Sequence, residues 1–402
     1  MNKINKKLLL AYSGGLDTSY CIPYLKDAGY DVLAINVNTG GFSQLELTEM
    51  KDRALQLGAV KFESINIEDK YWDKCIRYLL YGNILRNSTY PLSVSSERPF
   101  QGLALLQYCT DNNIEYFAHG STGAGNDQIR FDILFQSLAP HIKIVTPIRD
   151  QALSRAEELE YLKKKGFEWT KVQKKYSINK GIWGTSIGGA ETLTSDQNLP
   201  EDAFPTQKVK TDIEEVSITF DEGIPIAIND QSFDSPIRLI KSLEQKAGAY
   251  GIGRGVHVGD TILGIKGRVA FEAAAPLILI AAHELLEKHT LTKWQIHWKK
   301  QLADWYGMML HEAQYLDPLM RNIEVFLQET QLNVSGIVKL KLHEYRFVLD
   351  GIISDNDLMA SSFGAYGEEN KKWTGDDARG FTKILSNQMA IYYSIHQSKS
   401  LK

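Results

Sequence analysis

Lys7 to Ser19 reads KLLLAYSGGLDTS, and the way this stretch turns decides the fold. Lys7 to Ala11 is a short apolar run suited to a parallel strand buried on both faces. After the turn, Tyr20, Ile22, Tyr24 and Leu25 recur at helical spacing as far as Gly29. Between the two segments, Gly14 and Gly15 let the backbone reverse sharply and bring consecutive N–H groups close to a ligand. The helix that follows aims the positive end of its dipole and its unpaired N–H groups at the same spot. Ser13, Thr18 and Ser19 add hydroxyl donors. Such a turn is built to hold an anion, and a phosphate suits it best.

Working outward, Asp31 to Val37, Lys61 to Ile67, Ile114 to His119 and His141 to Thr146 read as further strands. Helical patterns separate them at Leu45 to Leu57, closed by Gly58, at Tyr71 to Leu85, and at Pro99 to Asn112 with its proline near the first turn. The alternation predicts an α/β fold with a doubly wound, mainly parallel sheet. Ligands of such sheets bind beyond the carboxyl ends of the strands, where Ser13 and the loop at Gly120 both fall. Ser154 and Glu157 form a capping box that opens a helix running to Lys165, closed by Gly166. The lysines at its end, with Lys174 and Lys175, read as a solvated helix terminus rather than a nucleic-acid patch.

From about Thr170 the pattern changes. Lys171 to Gly189 is rich in Gly, Ser, Asn and aromatics and reads as ordered loop, and Asp196 to Thr211 as a polar surface connection. Glu214 to Phe220 alternates like a strand that turns at Gly223 and Pro225, and Gly336 to Leu342 pairs with Tyr345 to Leu349. Pro236 to Gly248, Ala275 to Lys288, Trp294 to Gly307 and Asp317 to Glu329 are helical. This is a second domain of mixed α+β type. From Gly375 on, Phe381, Ile384, Leu385, Gln388, Ile391, Tyr392 and Ile395 lie along one face of a terminal helix. That stripe must pack on its own domain or on another subunit, and periodicity leaves both open.

A chain of 402 residues, 43% hydrophobic and 23% charged, is a globular protein of more than one domain. Its net charge of −4 gives no reason to expect a nucleic-acid partner. No apolar run approaches the ~20 residues that cross a bilayer, and the basic start feeds directly into the strand rather than a signal peptide. Cys21, Cys75 and Cys109 lie far apart without a C-x-x-C pair, which fits a reducing, cytoplasmic location and no structural metal.

The S-G-G-x-D-[ST]-S string lacks the lysine of the G-x-x-x-x-G-K-[ST] loop and is not G-x-G-x-x-G. It resembles the PP-loop of the ATP pyrophosphatases, which split ATP between the α and β phosphates. A second polar cluster follows at Ala118 to Phe131, AHGSTGAGNDQIRF, where Thr122, Asn126, Asp127 and Arg130 can converge. Asp127 and Arg130 are one helical turn apart, and on the ligand side of the sheet they suit the ammonium and carboxylate of an amino acid. With the third motif, YSINKGIWGTSIGG from Tyr176, these clusters closely resemble the argininosuccinate synthase family over essentially the whole chain.

The resemblance implies a nucleotide-binding domain over residues 1–170, a synthetase domain over 171–370 and a C-terminal oligomerisation helix over 371–402, assembled as a homotetramer. It implies ATP on Ala11, Tyr12, Ser13, Gly14, Gly15, Leu16, Asp17, Thr18 and Ser19, with Val37 by the adenine and Gly120 by the nucleotide. Thr122, Asn126 and Asp127 would hold aspartate; Tyr90, Ser95, Asn126, Arg130, Ser177 and Ser186 would hold citrulline. Mg²⁺ would accompany the phosphates, with Asp17 helping to position it, and Asp17, Asp127 and Arg130 are the expected catalytic residues. ATP and citrulline would form citrullyl-adenylate and pyrophosphate, and aspartate would then displace AMP.

Two departures stand out. Ala124 replaces a lysine common between the glycines, and Gly259 and Phe271 fall where the family has a Glu and a Tyr that contact citrulline. Asp260 and Glu272, each one residue on, are the candidates to compensate. Two rival readings remain at this point: a tRNA-modifying PP-loop enzyme, which would use reactive cysteines and a basic surface, and a non-enzymatic ATP-binding module.

Overall fold

In the computed structural model, which describes residues 6–168, 175–360 and 372–400, the KLLLA run is the central strand β1 (Lys6–Ala11). There follow α1 (Leu16–Asp27), β2 (Tyr30–Asn38), α2 (Gln44–Gln56) and β3 (Lys61–Asn66). α3 (Glu68–Tyr71) passes through a π turn at Trp72–Ile76 into α4 (Arg77–Tyr81). Then come α5 (Ser93–Asp111), β4 (Tyr116–His119), α6 (Asp127–Leu138), β5 (Lys143–Val145), α7 (Pro147–Gln151) and α8 (Arg155–Lys164). The five strands are parallel in the order β3-β2-β1-β4-β5. Leu8, Leu9 and Leu10 are all fully buried. Leu8 and Leu10 pack with Ile22, Leu25 and Met50 on one face, and Leu9 with Phe100, Leu105 and Phe117 on the other. A strand covered on both sides has no polar face to alternate, which is why its sequence is a continuous apolar run.

The chain winds outward from β1 to β2 and β3, then returns to place β4 on the other side of β1. Ala11 is in register with Ile35 of β2 and His119 of β4. The loops after β1 and β4 therefore part in opposite directions and leave a crevice between them, the switch point where such sheets bind ligands.

The rest of the larger unit, which ends at Asn356, is built on two antiparallel sheets. Its elements are β6 (Ser177–Gly181), β7 (Gly184–Gly188), β8 (Glu214–Asp221), β9 (Ile224–Ile228), β10 (Gln231–Ser232), α9 (Pro236–Gly248), β11 (Arg254–Asp260) and β12 (Lys266–Glu272). They continue with α10 (Ala274–Thr290), α11 (Lys293–His311), α12 (Pro318–Glu329), β13 (Gly336–His343) and β14 (Arg346–Ile353). The sheet orders are β11-β12-β7-β6 and β10-β9-β8-β13-β14. A largely buried polar network ties α10 and α11 to the end of α4: Lys299 Nζ pairs with Glu287 at 2.6 Å, and Asn83 and Gln331 also donate to that carboxylate. With each charge paired and hydrogen-bonded, the network is tolerated in the core.

From Asp357 on, the chain forms a second unit. α13 (Gly375–Leu385) starts from a capping box at Thr374 and Asp377, and α14 (Asn387–Ser400) follows after a break at Ser386. Phe381, Ile384, Leu385, Ile391 and Tyr392 are exposed on them.

Four expectations need correction. The expected loop at Lys171 to Gly189 is, over its described part, the hairpin of β6 and β7, whose polar strands lack the alternation that marks a strand; residues 171–174, including Lys174, lie outside the described residues. Pro99 is inside α5, not near its first turn, because Leu92 enters the helix from the left-handed region at φ 60° and the Ser95 and Ser96 hydroxyls bond back to Leu92 and Ser93. The helix expected from Tyr71 to Leu85 contains the π turn and stops at Tyr81. The single terminal helix is two.

Candidate active site

The backbone leaves β1 at Ala11 and enters the left-handed region at Gly14, φ +74°, a conformation that favours glycine. Gly15 is the extended N-cap of α1 and has no side chain to occupy the helix terminus. Arg53 Nη1 donates to the Gly14 carbonyl at 2.8 Å. Since the C=O and N–H of a trans peptide point in opposite directions, this turns the Gly15 N–H toward the Ser13 side, where it reaches Ser13 Oγ at 3.3 Å. Ser13 Oγ and Thr18 Oγ1 share a hydrogen bond of 3.2 Å, so both hydroxyls sit at the mouth of the helix. Asn36, at the end of β2, donates to the Tyr12 carbonyl and fixes the loop from below. Ser19 points elsewhere: it is fully buried and its hydroxyl meets Tyr12 OH at 3.3 Å.

Across the crevice, Gly120 follows β4 and lies against the first turn of α1. A Cβ there would come within 3.1 Å of the Asp17 carbonyl carbon and the Thr18 nitrogen, tighter than most side chains pack. His119 anchors this loop by accepting from the Ser121 N–H at Nδ1, which leaves the Nε2 proton for Asp132 at 3.1 Å. On α8, burial first, then the charge of Asp17 and a hydrogen bond with it, raise the Glu158 carboxyl to about 8.

At the start of α6 the polar cluster closes. Asp127 Oδ2 accepts from Arg98 Nε at 2.8 Å and Oδ1 from Arg130 Nη1 at 2.9 Å. Burial opposes the Asp127 charge, but the two guanidiniums outweigh it and hold the carboxyl down at about 2. Arg130 is 4% exposed and also donates to the His311 carbonyl from Nε and Nη2, at 3.3 and 3.0 Å. The pair is therefore no fully exposed i,i+3 bridge: Arg130 is buried, and Asp127, with 35% of its side chain exposed, joins it and Arg98 at the edge of the cleft. Asn126 Oδ1 accepts from the Ile262 N–H, which joins this cluster to the turn between β11 and β12.

These groups share one cleft of about 780 Å³. Ala11 to Thr18, Val37, Gly120, Thr122, Asn126, Asp127 and Arg130 border it. So do Tyr90, Ser95, Ser177 and Ser186; of the expected site residues Ser19 alone does not. Gly259 and Asp260 border it as well, whereas Phe271 is buried against Tyr90 and Glu272 faces Arg254 and the Thr206 N–H. Glu272 is thus no substitute for a missing cleft side chain, and Asp260 is paired with Lys266 at 2.7 Å.

Sequence reasoning missed Arg98, His257 and His311, which also border the cleft. Arg98 carried a signal, since Arg just before Pro99 sits in the segment that supplies Tyr90 and Ser95. The histidines carried none, because their neighbours there come from distant parts of the chain.

Comparison with known proteins agrees over both halves. The Arginosuccinate synthase N-terminal HUP domain family matches residues 7–168, and the Arginosuccinate synthase C-terminal domain family matches residues 176–392. The chain belongs to the argininosuccinate synthase family. It is similar to the argininosuccinate synthase of Methanocaldococcus jannaschii, at 38% identity over 83% of this chain and 85% of that one. It is similar also to that of Dictyoglomus turgidum, at 34% over 96% and 97%, and to that of Bacillus cytotoxicus, at 33% over 98% of each. As a member of the argininosuccinate synthase family it is an ATP-dependent ligase of arginine biosynthesis. Among its described residues no helix is long and apolar enough to cross a membrane.

Proposed function

We propose that ATP lies across the crevice between β1 and β4 with its β,γ-phosphates on Ser13 to Thr18 and its adenine by Val37. Thr122, Asn126 and Asp127 hold aspartate, and Tyr90, Ser95, Asn126, Arg130, Ser177 and Ser186 hold citrulline. The ureido oxygen attacks the α-phosphorus to give citrullyl-adenylate and pyrophosphate, and the aspartate amine then displaces AMP to give argininosuccinate. The observation that supports this most is the Asp127 carboxylate, kept ionised by Arg98 and Arg130 on the same cleft as the phosphate turn. An ionised carboxylate there suits an α-ammonium, and the N–H groups of the α1 terminus suit a departing pyrophosphate.

Attack by a urea oxygen leaves a cationic isourea, so no base has to remove a proton first. Alignment and charge stabilisation are enough. Among the described residues no cluster of His, Cys, Asp and Glu forms a metal cage. Mg²⁺ is held in such sites by one or two carboxylates and by substrate phosphates, so the donor set fits: Asp17 would hold the ion, which would neutralise charge on the departing pyrophosphate. Cys21, Cys75 and Cys109 are buried and none borders the cleft, which removes support for sulfur transfer to RNA. The exposed apolar side chains of α13 and α14 support self-association, which we take to be a cytoplasmic homotetramer.

The test is product analysis with ATP, Mg²⁺, citrulline and aspartate. AMP and pyrophosphate are expected only with citrulline present, and argininosuccinate only once aspartate is added. Turnover to ADP, or none, would sink the proposal.

A further inference from the structure

His257, on β11, and His311, at the end of α11, are each 6% exposed and border the cleft beside Tyr90 and Arg130. Each keeps one buried ring nitrogen without a hydrogen-bond partner among the described residues, Nδ1 in His257 and Nε2 in His311. In His311 the other nitrogen is engaged: Arg130 Nη2 donates to Nδ1 at 3.3 Å. A neutral imidazole that accepts at Nδ1 carries its proton at Nε2, so His311 presents a buried N–H donor that lacks an acceptor. Buried polar groups are nearly always paired, and an orphan of this kind beside a cleft points to a group that arrives with a ligand.

The surroundings say what kind of group. The His257 ring stacks on Tyr90, with centroids 5.2 Å apart, and its Nε2 lies only 2.6 Å from where a Cβ on Gly259 would stand. The glycine thus makes room for the imidazole. The nearby carboxylates are already engaged, Asp127 by Arg98 and Arg130, and Glu312 by Arg86 at 3.6 Å. Burial, then Arg130 and Arg86, hold the His311 imidazole neutral, and burial and Arg86 do the same for His257. This end of the cleft therefore holds neutral imidazoles in a positive field, with its carboxylates facing arginines. An anionic acceptor fits it.

We propose that binding of the ureido amino acid draws the His311 ring toward the cleft so that its buried Nε2 proton reaches the α-carboxylate, with His257 beside it, and that this contact sets selectivity at that end. The proposal rests on the assignment of Tyr90 and Arg130 to citrulline.

Two variants of His311 separate contact from support. His311→Asn keeps an oxygen near the Nδ1 position for Arg130 and removes the Nε2 donor; His311→Gln restores an N–H near Nε2. With pyrophosphate release as the readout, the Asn variant should raise KM for citrulline about tenfold, the usual size for a hydrogen bond to a charged group. KM for ATP and for aspartate should stay within about twofold, and the Gln variant should recover most of the loss. His257→Phe, which keeps the stacking on Tyr90, should raise KM for citrulline severalfold. Citrullinamide, which has no carboxylate, should be a poor substrate of the natural protein and be penalised less in the Asn variant. An unchanged citrulline KM in His311→Asn overturns the proposal, as does a common rise in all three KM values that Gln fails to rescue. A natural protein without citrulline-dependent pyrophosphate release overturns the underlying reading of the cleft instead.

Discussion

Arg130 donates to Asp127 and to the His311 carbonyl from a nearly buried position, so its removal has two effects at once. Arg130→Leu should abolish citrulline-dependent pyrophosphate release while ATP still binds, as titration calorimetry would show. It should also lower stability by about 1–2 kcal/mol, because the His311 carbonyl loses the two bonds it accepts from the guanidinium while Asp127 keeps Arg98. Gly120 is the opposite kind of residue, important for what it lacks. In Gly120→Ala the new methyl meets the backbone of Asp17 and Thr18, so the β4 loop or the phosphate turn must give by a few tenths of an ångström. KM for ATP should rise severalfold with little change in melting temperature; an unchanged KM would show that the loop absorbs the methyl elsewhere. At this scale much of the site was legible, because Ser13, Gly14, Asp127 and Arg130 stand in short strings whose local geometry is their chemistry. His257 and His311 were not legible, since a lone histidine on a strand or at a helix end means nothing until a neighbour 181 positions away is known, as with Arg130 and His311.

At the scale of elements, α5 carries a carboxyl that the helix itself never needed. Glu97 is 1% exposed, lies where any side chain on Gly181 would have to go, and leaves Oε1 without a partner. Burial raises it to about 8, against the pull of Arg98 at 3.9 Å and a hydrogen bond with Thr39. Its ordinary value of 4.5 applies in the unfolded chain, which therefore gives up the proton first. The stability it contributes is complete below about pH 4.5 and is lost as the pH climbs to about 8. Glu97→Gln carries no such proton, so its melting temperature should exceed that of the natural protein by a few degrees at pH 8 and converge with it near pH 5. Parallel curves across that range would count against a buried neutral acid. The strands of the first sheet were readable because burial on both faces leaves an apolar signature. The β6–β7 hairpin was not, since SINKG and GTSIG gain their partner β12 only through tertiary packing.

For the molecule as a whole, the exposed residues of α13 and α14 are the feature to test. Ile384→Asp with Ile391→Asp should shift the particle to a smaller mass by light scattering, with no effect on ATP binding; an unchanged mass would separate these helices from assembly. The outline of the chain, a parallel α/β half followed by an α+β half, was readable from the change of pattern near residue 170. How the halves combine was not, because it depends on contacts such as Asn126 with Ile262 and Arg130 with His311 that have no local trace. Those contacts also order events in time. A ribosome releases the phosphate turn first and the His311 end of α11 hundreds of peptide bonds later. Leu9 and Phe117 of the first sheet share one buried core with Leu310 of α11, so a growing chain lacks both the clamp on Arg130 and part of the packing under β1 until α11 has emerged.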